Sequence, residues 1–92
     1  MQVNFFATLR QIVGGKTVEV ELTDGLTLRQ ALHSLAGRFP KLRTELFDQD
    51  GRLHSHVHVF VNGRDSVFLA EQLDMLLKPD DTVNVFPAVG GG

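Results

Sequence analysis

The sequence predicts an α+β fold, a β-grasp in which one mixed sheet of four to five strands carries one main helix across one face. Three observations predict it. Two runs of period-two alternation open the chain, separated by a glycine pair. One capped amphipathic helical stretch follows them. Two further strand-like runs come later, the second close to the last residue. The implied order is β, β, α, β, a short irregular element, β. In a β-grasp the first and last strands lie side by side and parallel at the sheet's centre. A parallel neighbour needs a long crossover, and the helix-bearing middle of the chain supplies it.

Gln2 to Leu9 alternates loosely, with Val3, Phe5 and Ala7 on one face and Asn4, Phe6 and Thr8 on the other. Phe6 breaks the strict pattern, as suits a central strand partly covered on both faces. Gly14-Gly15 marks a turn, and Lys16 to Leu22 alternates cleanly, Val18, Val20 and Leu22 pointing one way. The two runs read as an antiparallel hairpin with a longer loop. Thr27 with Gln30 three residues on forms a capping box, and Leu26 with Ala31 is spaced as a hydrophobic staple. Leu28, Ala31, Leu32, Leu35 and Phe39 make one helical stripe, which Pro40 stops. Lys41 to Phe47 is compatible with a further helical turn, and Asp48 to Gly51 is a turn cluster. His56 to Val61 reads as a strand with Val57, Val59 and Val61 inward, ended by the turn dipeptide Asn62-Gly63. Residues 64–77 read ambiguously, as a short edge strand plus an irregular or helical segment. Lys78 to Asp81 is a turn, and Thr82 to Phe86 is the last strand. The predicted core is Val3, Phe5, Val18, Val20, Leu28, Leu32, Leu35, Val59, Val61, Val83 and Val85.

Ninety-two residues make one small domain. A domain this size has little room for a catalytic cleft beside its core, which favours a binding or carrier protein over an enzyme. A net charge of -2 with mixed signs gives no basic field for nucleic acid and no polybasic membrane patch. The chain has no cysteine, which excludes disulfides, thiol catalysis and thiolate metal sites. The start shows neither a signal peptide nor an apolar span, and a cytoplasmic location is expected.

The last residues, Phe86-Pro87-Ala88-Val89-Gly90-Gly91-Gly92, carry the strongest functional signal. A bland explanation is a frayed terminus or a tag remnant. The sharper one is that the carboxylate of Gly92 is the working group. Glycines give it a side-chain-free tether that can be threaded through a narrow channel into another protein. On this reading residues 1–89 form the domain and residues 90–92 a flexible tail, mobile when free and extended in a complex.

Other candidate sites are weaker. His54, His56 and His58 recur with period two, so a strand would align three imidazoles for zinc or nickel. A solvated strand face opposite the valines explains them better, and no metal site is expected. His33 reads as a surface or boundary histidine, and Asp80-Asp81 as a turn before a strand. The arginines are scattered and form no phosphate motif.

Taken together, Phe5-Phe6-Ala7-Thr8-Leu9-Arg10, Leu26 to Leu32, Asp80-Asp81-Thr82-Val83 and the terminal Phe86 to Gly92 resemble the ubiquitin-like sulfur carriers of the MoaD/ThiS family. The resemblance spans the whole chain. MoaD-type tails commonly carry a second proline where Ala88 stands, and Gly90 fills the place of their small residue. The segment Lys41 to Leu53 is more like MoaD than the shorter ThiS proteins. Gly51 to His54, Val61-Asn62 and Pro87-Ala88-Val89 also resemble the carrier of a protein-bound cysteine synthesis route, and archaeal ubiquitin-like modifiers share the outline. The family implies a co-substrate rather than a catalyst, with no bound cofactor. An E1-like adenylyltransferase uses ATP and Mg²⁺ to adenylate Gly92, a persulfide donor supplies sulfur, and a thiocarboxylate results. The sulfur then passes to an acceptor such as the large subunit of molybdopterin synthase, or to cysteine synthesis or tRNA thiolation. The alternatives are a modifier conjugated to lysines and a β-grasp interaction module with an incidental tail.

Partner docking is expected on the sheet face beside the last strand. Phe6, Phe60 and Phe86 are its apolar anchors, joined by Pro87, Val89 and Gly90 of the tail, whereas Gly91 belongs with Gly92 to the reacting end and lets the tail fit. Seven phenylalanines exceed what so small a core requires.

Overall fold

A computed structural model describes residues 1–21, 25–69 and 71–87. Five strands form one sheet: β1 (Gln2–Phe5), β2 (Thr17–Glu19), β3 (His58–Val61), β4 (Arg64–Asp65) and β5 (Thr82–Phe86). Their order is β2-β1-β5-β3-β4. β1 and β5 run parallel with Val3 opposite Val83, and the other neighbours are antiparallel. The expected pairing of the first and last strands is therefore present, with β5 in the middle of the sheet. This is a β-grasp.

Alternation decides which side of the sheet is buried. Val3, Phe5, Val18, Val59, Val61, Val83 and Val85 all turn their side chains to one face and are buried there. The main helix, α2 (Leu28–Arg38), covers that face with Leu28, Ala31, Leu32, Leu35 and Ala36. Its start is fixed as its sequence demands: Thr27 Oγ1 accepts from the Gln30 N–H at 3.1 Å, and Gln30 Oε1 accepts from the Thr27 N–H at 2.9 Å. Phe39 caps the end, and Pro40 opens α3 (Pro40–Leu46) at a first-turn position where its missing N–H is harmless. Leu42, Leu46 and Phe47 extend the core from this second helix. All eleven residues of the predicted core are buried. Leu22 and the tail residues Val89, Gly90, Gly91 and Gly92 lie outside the described residues.

Two departures from the sequence reading bear on the face opposite α2. The first strand ends at Phe5, not Leu9. Ala7 takes a left-handed conformation, φ 54°, which turns the chain, and a short helix, α1 (Leu9–Val13), begins. Leu9 is fully buried, so tertiary packing rather than alternation sets its place. Gly14, φ 77°, ends α1 with its N–H and that of Gly15 donating to the Arg10 carbonyl. The histidine run departs too. β3 starts only at His58, and Ser55-His56 forms a turn. Asn62-Gly63, at φ 52° and 84°, makes the expected tight turn into β4. The ambiguous stretch resolves into β4 and two 3₁₀ turns, Ser66–Phe68 and Gln72–Asp74.

Candidate functional site

The face of the sheet opposite α2 is divided into two halves. Nearer the start of β5, Thr17 Oγ1 donates to Asn4 Oδ1, and Asn4 Nδ2 donates to Asn84 Oδ1 at 2.9 Å. These bonds tie β2, β1 and β5 together side chain to side chain, a polar ladder across three strands. One step further along β1 and β5, and on β3 at the level of Asn84, the face becomes aromatic. Phe6, just past β1, stacks on Phe86 of β5 with ring centroids 4.3 Å apart and planes 13° apart. Phe60 of β3 meets Phe86 nearly edge-on, 5.4 Å away and at 78°. All three rings are half-buried. Of the seven phenylalanines only Phe5 and Phe47 are buried in the core, so the row is surplus to packing.

The row lies at the C-terminal end of β5, where the chain continues into Pro87 and the glycines. Pro87 itself is buried and offers no ring to a partner in this state. Val89, Gly90, Gly91 and Gly92 are outside the described residues. The structure thus brings together Phe6, Phe60 and Phe86.

Sequence reasoning placed none of the three side chains that flank the row beside it. The Arg10 guanidinium lies 5.3 Å from the centre of the Phe6 ring, and its Nε donates to the Phe5 carbonyl at 3.0 Å. The signal was the Phe6–Arg10 spacing of four, which counts only once α1 is known. At the other end His58 Nδ1 lies 3.2 Å from Asp65 Oδ2, linking β3 to β4. The Asn-Gly turn could have located that pair, since it sets the register in which Phe60 faces Asp65.

Elsewhere the candidates resolve into structural roles. His54 and His56 stack on each other at 4.9 Å, and His54 Nε2 is 3.1 Å from the Thr44 carbonyl oxygen. His58 points to Asp65 instead of joining them, and no group of three ligating side chains suited to a metal occurs among the described residues. His33 is exposed and stacks on Phe47 at 4.0 Å. Asp81 closes its turn by accepting from the Lys78 N–H and from Asn62 Nδ2, each at 2.8 Å. An open hollow of about 300 Å³ beyond His58 and Asp65 includes Ser55 and Ser66 in its lining. No serine hydroxyl is hydrogen-bonded to His58 among the described residues. No helix of the described residues is long and apolar enough to cross a membrane.

Comparisons with known proteins bear on the family and the fold. The pattern of the ThiS family matches residues 3–92. Small archaeal modifier protein 3 of Haloferax volcanii is 37% identical over 92 residues, covering 100% of this chain and 98% of that protein. The crystal structure of small archaeal modifier protein 1 of the same organism superposes with a TM-score of 0.85 at 33% identity, covering 99% of this chain and 97% of the other. A chain of the BexX/CysO complex of Amycolatopsis orientalis superposes at 0.79 with 30% identity, over 99% and 98% of the two chains.

Proposed function

The chain belongs to the ThiS family of small ubiquitin-like carriers and modifiers, which are not catalysts, and from that premise we propose that it is a sulfur carrier whose working group is the carboxylate of Gly92. A carboxylate is a poor electrophile because its leaving group would be oxide. An E1-like enzyme, using ATP and Mg²⁺ of its own site, transfers AMP to the carboxylate and releases pyrophosphate. The acyl-adenylate carbon is then attacked by the terminal sulfur of a partner's persulfide, and AMP leaves. A thiol of the partner takes the adjoining sulfur as a disulfide, and the thiocarboxylate is released on Gly92. This chain has no cysteine to compete at either step. Its contribution is presentation: the aromatic row docks, and the glycines deliver the reacting atom.

The observation that carries the reading is the row of Phe6, Phe86 and Phe60. It is half-exposed and sits where the last strand hands the chain to its glycine end. Docking there places Gly92 within reach of the partner's active site. One neighbouring fold comes from a complex with a second protein, which supports use of a partner enzyme. A thiocarboxylate can serve more than one acceptor enzyme by chemistry alone, so the pathway is set by the partner and not by this chain.

A second reading shares the first step. The relatives named modifier proteins favour attack on the acyl-adenylate, directly or through a thioester, by a lysine ε-amine to give an isopeptide. The two branches differ only in the nucleophile.

The test is a pyrophosphate-release assay with the cognate E1-like enzyme, beside intact-mass analysis and a melting curve. Wild type releases pyrophosphate and gains the mass of one sulfur-for-oxygen exchange. Removing Gly91 and Gly92 abolishes both and leaves the melting temperature nearly unchanged. Gly91→Val does the same by obstruction, because a β-branched side chain is stiff and wide, and extension beyond Gly92 caps the carboxylate. Phe86→Ala weakens docking without touching the reacting group. Full activity of the shortened chain would overturn the carrier reading. Lysine-linked conjugates without any thiocarboxylate would select the modifier branch.

A further inference from the structure

The geometry points to a cation-binding corner inside the docking face, built by Phe60, Phe86, His58 and Asp65 and shaped for an arginine side chain of the docking protein. This deepens the carrier reading and rests on it for the identity of the face.

Two aromatic rings stacked in parallel leave no room between them. Phe60 and Phe86 meet at 78° and so form two walls of an open corner. Phe6 covers the other side of Phe86. The strand register supplies the remaining walls: His58 lies opposite Phe86, and Asp65 lies opposite Phe60. The same four residues line one shallow hollow.

The chemistry of those walls selects the occupant. Aromatic faces are electronegative and attract a cation. Asp65 is the carboxylate that lines the corner, and only 17% of its side chain is exposed. It accepts from the Val67 N–H at 3.1 Å through one oxygen and faces His58 through the other. Each oxygen keeps a lone pair for a further donor. An anion would meet both the ring faces and the carboxylate unfavourably. A purely apolar side chain would strip water from Asp65 without replacing it. A guanidinium matches both elements, because its plane stacks on a ring while its N–H groups reach a carboxylate. The chain already uses this chemistry on itself at the far end of the row, where Arg10 covers Phe6.

The test uses the full chain and small probes followed by NMR. N-acetyl-arginine methylamide should shift the signals of His58, Phe60, Asp65 and Phe86 saturably. The citrulline analogue, of the same shape without the charge, should not. Asp65→Asn keeps an acceptor for the Val67 N–H and should weaken the arginine probe roughly threefold; Phe60→Leu should do likewise if the first variant melts early. Equal shifts from the citrulline or norleucine analogue, shifts confined to the end holding Glu19 and Asp80, or no shifts would overturn the corner. In the pyrophosphate assay Asp65→Asn should raise KM for this protein and leave kcat unchanged. An unchanged KM beside an active wild type would sink the corner alone. An inactive wild type would sink the carrier reading and leave the probe titration to decide the corner.

Discussion

Leu32 lies in the middle of the α2 stripe with 1% of its surface exposed, packed between the helix and the sheet. Shortening it to alanine removes buried methyl groups and leaves a cavity. Leu32→Ala should therefore cost ~2–5 kcal/mol in chemical denaturation. A loss below about 1 kcal/mol would mean that the site collapses or is not buried. Asp48 makes a different kind of prediction. The Arg52 N–H and then the Asp50 N–H donate to Oδ1, at 3.0 and 2.8 Å, and hold its carboxyl below the usual carboxylate range. A depressed folded pKa means that the ionised carboxylate stabilises the turn above the unfolded value. That contribution is lost as the pH falls through the folded value. NMR titration should find Asp48 titrating lower than the same residue in a disordered peptide, with the Asp50 and Arg52 amide signals moving together with it. Residues of this kind are legible in the sequence: Asp48 sits in a turn cluster, and Leu32 sits on a stripe. Arg10 and Asp65 are less so, because each meets its neighbour only once a turn is placed, the left-handed Ala7 for Arg10 and Asn62-Gly63 for Asp65.

The elements repeat that division. α2 is readable because its cap, stripe and stop signal all agree locally. Thr27→Ala removes the acceptor for the Gln30 N–H and should cost about 1 kcal/mol. If urea melts show no loss, the capping box is idle. The first strand is shorter than its pattern suggests because Ala7 and Leu9 continue an alternation that the fold does not use. Leu9 is buried from a helix, and Ala7 takes the left-handed turn that makes this possible. The histidine period fails for a similar reason, since a turn at Ser55 and His56 intervenes before β3. The aromatic row survives both errors. Phe6, Phe60 and Phe86 alternate with core residues, and sheet pairing then assembles them across three strands.

At the scale of the molecule the pairing of β1 with β5 dominates. It joins the beginning of the chain to its far end, and β5 is flanked on both sides while β4 closes one edge with two residues. Amide exchange should be slowest at Val3, Val83 and Val85, and fast at Arg64. Comparable protection in β4 would contradict this hierarchy. The same arrangement has a mechanical consequence. A partner that pulls on the chain beyond Pro87 draws β5 along its own axis, between β1 and β3. The backbone bonds on both sides then carry the load in shear, so they must yield together and cannot be unzipped singly. A load applied at that end therefore meets the full sheet before the domain unravels.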